Sequence, residues 1–289
     1  MQWEGRREST NVDDRRGISG GSIAAGGGIL GVIALLINFF MSGGDVSQLP
    51  QSLPQGNPQQ QMSPQAKAED DKLAGFVKTV LADTEDIWGE IFKKNGAQYT
   101  DPTLVLFSGT VQSGCGGASA QSGPFYCPAD EKLYIDLSFY QELRDRFQAP
   151  GDFAMAYVVA HEIGHHVQDL MGTSQKMQRL RSQLSEQEYN RYSVMLELQA
   201  DFYAGVWAHY ENNLKSADGR NVIEPDDIQE ALTAANAIGD DRLQKESQGY
   251  VVPDAFTHGT SAQRVYWFKK GFETGDMRQG DTFSDPNLR

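Results

Sequence analysis

Phe153-Ala-Met-Ala-Tyr-Val-Val-Ala-His161-Glu162-Ile-Gly-His165-His166 is the stretch on which the reading of this sequence turns. An apolar run from Phe153 to Ala160 leads directly into ionisable side chains, and Pro150, Gly151 and Asp152 stand where a helix would open. The pattern predicts a buried helix. Positions i and i+4 share a helical face, so the imidazoles of His161 and His165 can reach one ion, while Glu162 points to the adjacent side, where a base would meet water. Two histidines and a glutamate on a solvated helix face would read the same at these positions. The apolar lead-in argues against that, because it sets the charges beside a core.

A hydrolytic zinc site usually takes three protein ligands, so a third must lie downstream. The extended pattern with a glycine and a third histidine after H-E-x-x-H is excluded, because Gln168 and Met171 occupy those positions. The later segment SVMLELQADFYAGVWAH (193–209) carries Glu197 and Asp201, again four apart within apolar neighbours. Glu197 is the expected third ligand. Asp201 would accept a hydrogen bond from the ring N–H of a ligating histidine and fix its orientation. His258, with Arg264 as the weaker alternative, is the candidate for stabilising an oxyanion opposite the metal. His166 faces away from the i, i+4 pair and His209 lies beyond the Glu-Asp turn, so neither is given a role.

Farther out, Ile18–Met41 carries no charge and is long enough to cross a bilayer as a helix. Arg6, Arg7, Arg15 and Arg16 precede it, and the first Lys or Arg after it is Lys67. This bias predicts a cytoplasmic segment 1–17, a transmembrane helix 18–41, a Gln/Pro/Ser-rich flexible linker 42–66 and an external domain 67–289. A cleaved signal peptide is the rival, but MSGGDVSQL after the run has no A-x-A-like site. Small residues four apart (Gly27 and Gly31; Gly20, Ala24 and Gly28) would allow two anchors to pack as a homodimer. Cys115 and Cys127 are close enough to form one disulfide in an oxidising compartment; reduced thiols or a second metal site are the alternatives. A formal charge of −14 disfavours nucleic acid as a partner.

The domain reads as α+β, mainly helical with a small β-sheet. Leu73 to Ile91 shows helical spacing, Thr103–Phe107 and Leu133–Leu137 read as strands, and further helices are expected at 152–170, 175–210 with a break near Ser185, 225–239 and 260–275.

From MQWEGRR through the apolar run to the C-terminal helix, the sequence resembles the bacterial neutral zinc metallopeptidase family, the YpfJ-like proteins. The resemblance implies a zincin fold, with His161, His165 and Glu197 as ligands of one Zn2+ and Glu162 as the catalytic residue. HEIGHH, ELQAD and THGTSAQR also look like the glutamate-zincins that include CAAX-processing and heat-shock proteases, which have several membrane spans where this chain offers one. In zincins the strand before the active helix is typically a sheet edge that an extended substrate extends, and Leu133–Leu137 alternates suitably for that or for a core strand. The expectation is a single-pass inner-membrane peptidase, acting on a peptide or protein on the outer face. The alternative is a non-catalytic, zinc-stabilised binding module, but a structural site needs no base and is normally closed by a fourth ligand.

Overall fold

The computed structural model describes residues 1–17 and 63–288. The first long helix, α1 (Pro64–Lys94), starts where Ser63 accepts a hydrogen bond from the Ala66 N–H and Pro64 occupies the first turn. It therefore includes residues expected in the linker. Phe76, Val77, Val80, Leu81, Ile87, Trp88 and Ile91 on it are buried.

The sheet is small and mixed. Strands β1 (Val12–Asp14), β2 (Thr103–Phe107) and β6 (Lys132–Asp136) run parallel, and β5 (Phe125–Cys127) pairs antiparallel with β6 at one edge. Strands β3 (Thr110–Ser113) and β4 (Gly116–Ser119) form a separate hairpin. The Leu133–Leu137 strand is thus an inner strand, paired on both sides by β2 and β5, and the edge role passes to β5. A three-residue strand is too short for alternation to reveal it. Leu104, Leu106, Leu133 and Ile135 face the main core with α1 and the central helices, while Val105, Phe107, Cys127 and Tyr134 form a smaller cluster.

The rest is helical: α2 (Phe139–Asp145), α3 (Asp152–Leu170), α4 (Thr173–Arg181), α5 (Glu186–Glu211), α6 (Asp227–Ala237), α7 (Asp240–Gln248) and α8 (Ser261–Thr274). The break expected near Ser185 is a new helix start, where Ser185 and Glu188 form a reciprocal capping box. Thr260 and Gln263 do the same for α8. Helices α5 and α8 touch backbone to backbone: a Cβ on Gly205 would lie 2.0 Å from the Phe268 carbonyl oxygen, and one on Gly271 would lie 2.0 Å from that of Phe202. Only glycine permits this approach.

Residues 1–17 correct the expected domain plan, because they are part of the domain. β1 pairs with β2, and Trp3 packs edge-on against Phe76. Arg6 pairs with the buried acids Asp83 (2.8 Å) and Glu211 (2.9 Å), and Ser9 and Asn11 both donate to Glu85. The Met1 ammonium lies 2.9 Å from both Asp152 and Asp227. Segment 1–17 and residues 63–288 therefore form one folded body. A single crossing between Gly17 and Ser63 would part β1 from β2, so a cytoplasmic 1–17 with an external domain is incompatible with this sheet. Among the described residues no helix is long and apolar enough to cross a membrane, and the expected span 18–41 and the linker to residue 62 lie outside them.

Candidate metal centre

Helix α3 is buried along most of its length, with Phe153 to Ala160 in the core, so its polar residues His161, Glu162 and His166 are also withdrawn from water. Helix α5 crosses it closely. A Cβ on Gly164 would stand 2.8 Å from the Ala200 carbonyl oxygen, so the glycine between the two histidines sets how near Glu197 can come. Gly164→Ala is expected to force the helices apart, costing about 1–3 kcal/mol of stability as overpacking does and weakening metal uptake. Thermal unfolding with and without zinc checks this, and an unchanged response to zinc would refute it.

His161, His165 and Glu197 offer ligand atoms that all lie within 4.8 Å of one another. Glu197 Oε2 is 3.1 Å from His161 Nε2 and 3.5 Å from His165 Nε2. A tetrahedral ion with bonds of about 2.0–2.1 Å separates its ligands by about 3.3–3.4 Å, so this set fits zinc. Both rings turn Nε2 inward and keep Nδ1 in a hydrogen bond outside, to Asp201 Oδ1 for His161 (2.8 Å) and to Gln168 Oε1 for His165 (2.8 Å).

Asp201 is fully buried. It accepts from His161, from the Tyr157 hydroxyl and from both Nε (2.8 Å) and Nη2 (3.0 Å) of Arg264. Burial pushes its carboxyl up, but Arg264 and His161 outweigh that and leave it at about 2. Arg264 is thereby removed as an oxyanion candidate: it is buried on Asp201, behind His161, and neutralises the carboxylate that orients the ring. Burial likewise disfavours a charged His161, yet Asp201 and Glu197 outweigh it and raise its pKa to about 10.

Glu162 stands beside these three residues but outside their group. Its Oε2 accepts the Tyr126 backbone N–H (2.8 Å), and burial raises its pKa. That donor belongs to the edge strand β5. The Tyr126 hydroxyl is 3.1 Å from Asp169 and 3.0 Å from Nδ1 of His166, whose Nε2 bonds the Thr100 carbonyl at 2.7 Å. His166 thus has a place after all, holding the strand that holds Glu162. His209 bonds the Phe272 carbonyl, away from the site. Next to Tyr126, Cys127 is bridged to Cys115.

His258 sits half-exposed in the turn before α8 and within electrostatic reach of Glu197. Asp240 builds this turn: its Oδ2 accepts the backbone N–H groups of Thr257 (2.7 Å), His258 (2.6 Å) and Gly259 (3.1 Å), and its Oδ1 is 3.2 Å from His258 Nδ1. Burial lowers the imidazole pKa, but Asp240 and Glu197 raise it above its ordinary value overall. Tyr126, Gln168 and Asp240 escape sequence reasoning because only Gln168, three residues after His165, carries a local signal, and a lone Gln on a helix is common.

Two imidazoles and a carboxylate on two crossing helices define the class, a group of side chains that could hold a metal ion. Residues 1–283 match the model of the family described as "Putative neutral zinc metallopeptidase". The chain is 48% identical to the Escherichia coli K12 protein YpfJ, covering 98% of this chain and 99% of the relative. It is 45% identical to the Mycobacterium bovis protein Mb2605 over 74% of this chain and 73% of that one. No solved structure matches it. The chain belongs to this neutral zinc metallopeptidase family, and zinc is the metal the family implies.

Proposed function

We propose that this protein is a zinc-dependent peptidase, in which His161, His165 and Glu197 hold one Zn2+ per chain and Glu162 is the general base. The observation that carries the reading is a convergent three-residue ligand set with a buried carboxylate beside it and, among the described residues, no fourth His, Cys, Asp or Glu in the group. A structural site would be closed by a fourth ligand.

Zinc, when bound, supplies Lewis acidity toward water and a carbonyl. Glu162, steadied at Oε2 by the Tyr126 N–H, takes a proton from the attacking water and later delivers it to the leaving nitrogen. His258, anchored at Nδ1, donates from Nε2 to the developing oxyanion. The free edge of β5, apart from the Tyr126 N–H that Glu162 holds, offers backbone groups to an extended peptide or protein substrate. The Cys115–Cys127 bridge supports an oxidising, extracytoplasmic location. Membrane attachment through the apolar run 18–41 is part of the proposal, with residues 1–17 on the domain's side.

The deciding measurement is the zinc content of the purified full-length protein. About one zinc per chain, lost in Glu197→Ala, is the expected result; a folded protein that takes up no zinc would refute the reading. If His258 is the oxyanion donor, His258→Gln should lower kcat by about 10²–10³-fold, the cost of losing such a donor. The donor requires protonated His258, so activity should fall as pH rises through its raised pKa. Asp240→Asn removes the main cause of that rise and should shift the alkaline limb to lower pH. An alkaline limb that stays in place would exclude this role.

A further inference from the structure

We propose that Gln168, through a relay of two side-chain amides ending on the Gly280 carbonyl, is the positioning residue that makes Nε2 of His165 the metal-binding atom. The inference rests on the zinc reading above.

The direction of the relay follows from its end. The Gly280 carbonyl can only accept, so Gln199 must turn its amide nitrogen toward it, at 2.7 Å. This leaves Gln199 Oε1 to accept from Gln168 Nε2 at 3.2 Å, and that nitrogen also donates to the Leu196 carbonyl at 2.7 Å. Both amide protons of Gln168 are then committed. The atom left for His165 is Oε1, 2.8 Å from Nδ1. An amide oxygen only accepts, so Nδ1 carries the ring proton and Nε2 presents a lone pair toward Glu197.

The same side chain spans the two ligand-bearing helices. Gln168 lies one turn after His165 on α3, and Leu196, whose carbonyl it binds, immediately precedes Glu197 on α5. Gln168 therefore fixes the ring of one ligand against the backbone of another. The far end is firm as well, because Thr282 donates to the Met195 carbonyl at 2.5 Å and clamps the Gly280 segment onto α5. Gln168 and Gln199 are both buried, so no water competes for these bonds. An amide also suits the charge balance. His161 already leans on Asp201, whose charge Arg264 offsets, and a further carboxylate behind His165 would leave an uncompensated buried negative charge.

The test measures zinc dissociation constants of the full-length protein by chelator competition. It is paired with nitrogen-15 NMR of labelled histidines in the zinc-loaded form. Gln168→Met, similar in volume but without an amide acceptor, should weaken zinc binding about 10–100-fold, as loss of a ligand's supporting partner does, and should shift the nitrogen-15 signal of the His165 Nδ1–H, which loses its hydrogen-bond acceptor. Gln199→Met frees the relay from its anchor and should weaken binding less. A merely structural role would lower the unfolding midpoint of the metal-free protein and leave the zinc constant alone. A folded Gln168→Met protein with the wild-type zinc constant would overturn the proposal. If that variant does not fold, an unchanged constant in Gln199→Met overturns it instead. Wild-type protein that takes up no zinc overturns the parent reading and this one with it, whereas equal affinity in wild type and Gln168→Met overturns this one alone.

Discussion

A chain lacking residues 1–17 is expected to lose its cooperative unfolding transition. Arg6 faces two buried acid groups, Asp83 and Glu211, at 2.8 and 2.9 Å, of which Asp83 keeps its proton at neutral pH. Removing one partner from a buried ion pair typically costs about 3–5 kcal/mol, because the other charge is left unpaired. The truncation also strips the β1 ladder from β2, leaves Phe76 without Trp3 and removes the donors that Ser9 and Asn11 give to Glu85. A typical domain is stable by about 5–15 kcal/mol, so these losses together rival the whole. Circular dichroism melting of a protein starting at Ser63 is the measurement, with a synthetic peptide of residues 1–17 added back. The peptide should restore a sharp transition, and a fragment melting like the full chain would refute the prediction. A pH signature accompanies it. Burial and the neighbouring Glu211 push Asp83 up to about 9, above an unfolded value of about 4. This group's contribution is fully present below the unfolded value and is lost as pH rises toward 9, so stability should fall across that window and fall less in Asp83→Asn.

The same residues explain why part of the fold was legible in the sequence and part was not. Helices α3 and α5 carry long apolar runs, and the i, i+4 spacing of His161 with His165 and of Glu197 with Asp201 determined which side chains would share a face. Their convergence needed only that the two helices cross, and Gly164 is where they do. Strand β1 is three residues long and its partner lies some 90 residues away; nothing local distinguishes it from a tail. The arginines at positions 6, 7, 15 and 16 read as a topology signal because a sequence displays charge without its partner. In the fold they meet carboxylates: Asp83, Glu85 and Glu211 for the first two, and Asp13, Asp14 and Asp70 for the second two. Arg264 was misplaced for a related reason, since its proximity to His258 in sequence concealed that an α8 side chain packs inward onto α5. Asp240 was invisible because the turn it organises begins 17 residues later.

Glu162→Gln should separate metal binding from chemistry more sharply than any other substitution. The carboxylate lies outside the ligand group, so the zinc content of the variant should equal that of the wild type. Among the described residues its one hydrogen bond is from the Tyr126 N–H to Oε2, and the amide oxygen of glutamine can accept that bond with little change in shape. What the amide cannot do is take a proton from water. General-base catalysis contributes about 10²–10⁴-fold, so hydrolysis of a quenched-fluorescence library of unstructured peptides by the full-length protein should drop by that factor with the zinc retained. Glu197→Ala differs in kind, losing metal and activity together. If Glu162→Gln turned over like wild type, another group would be the base. Loss of zinc in that variant would make Glu162 a ligand rather than the base.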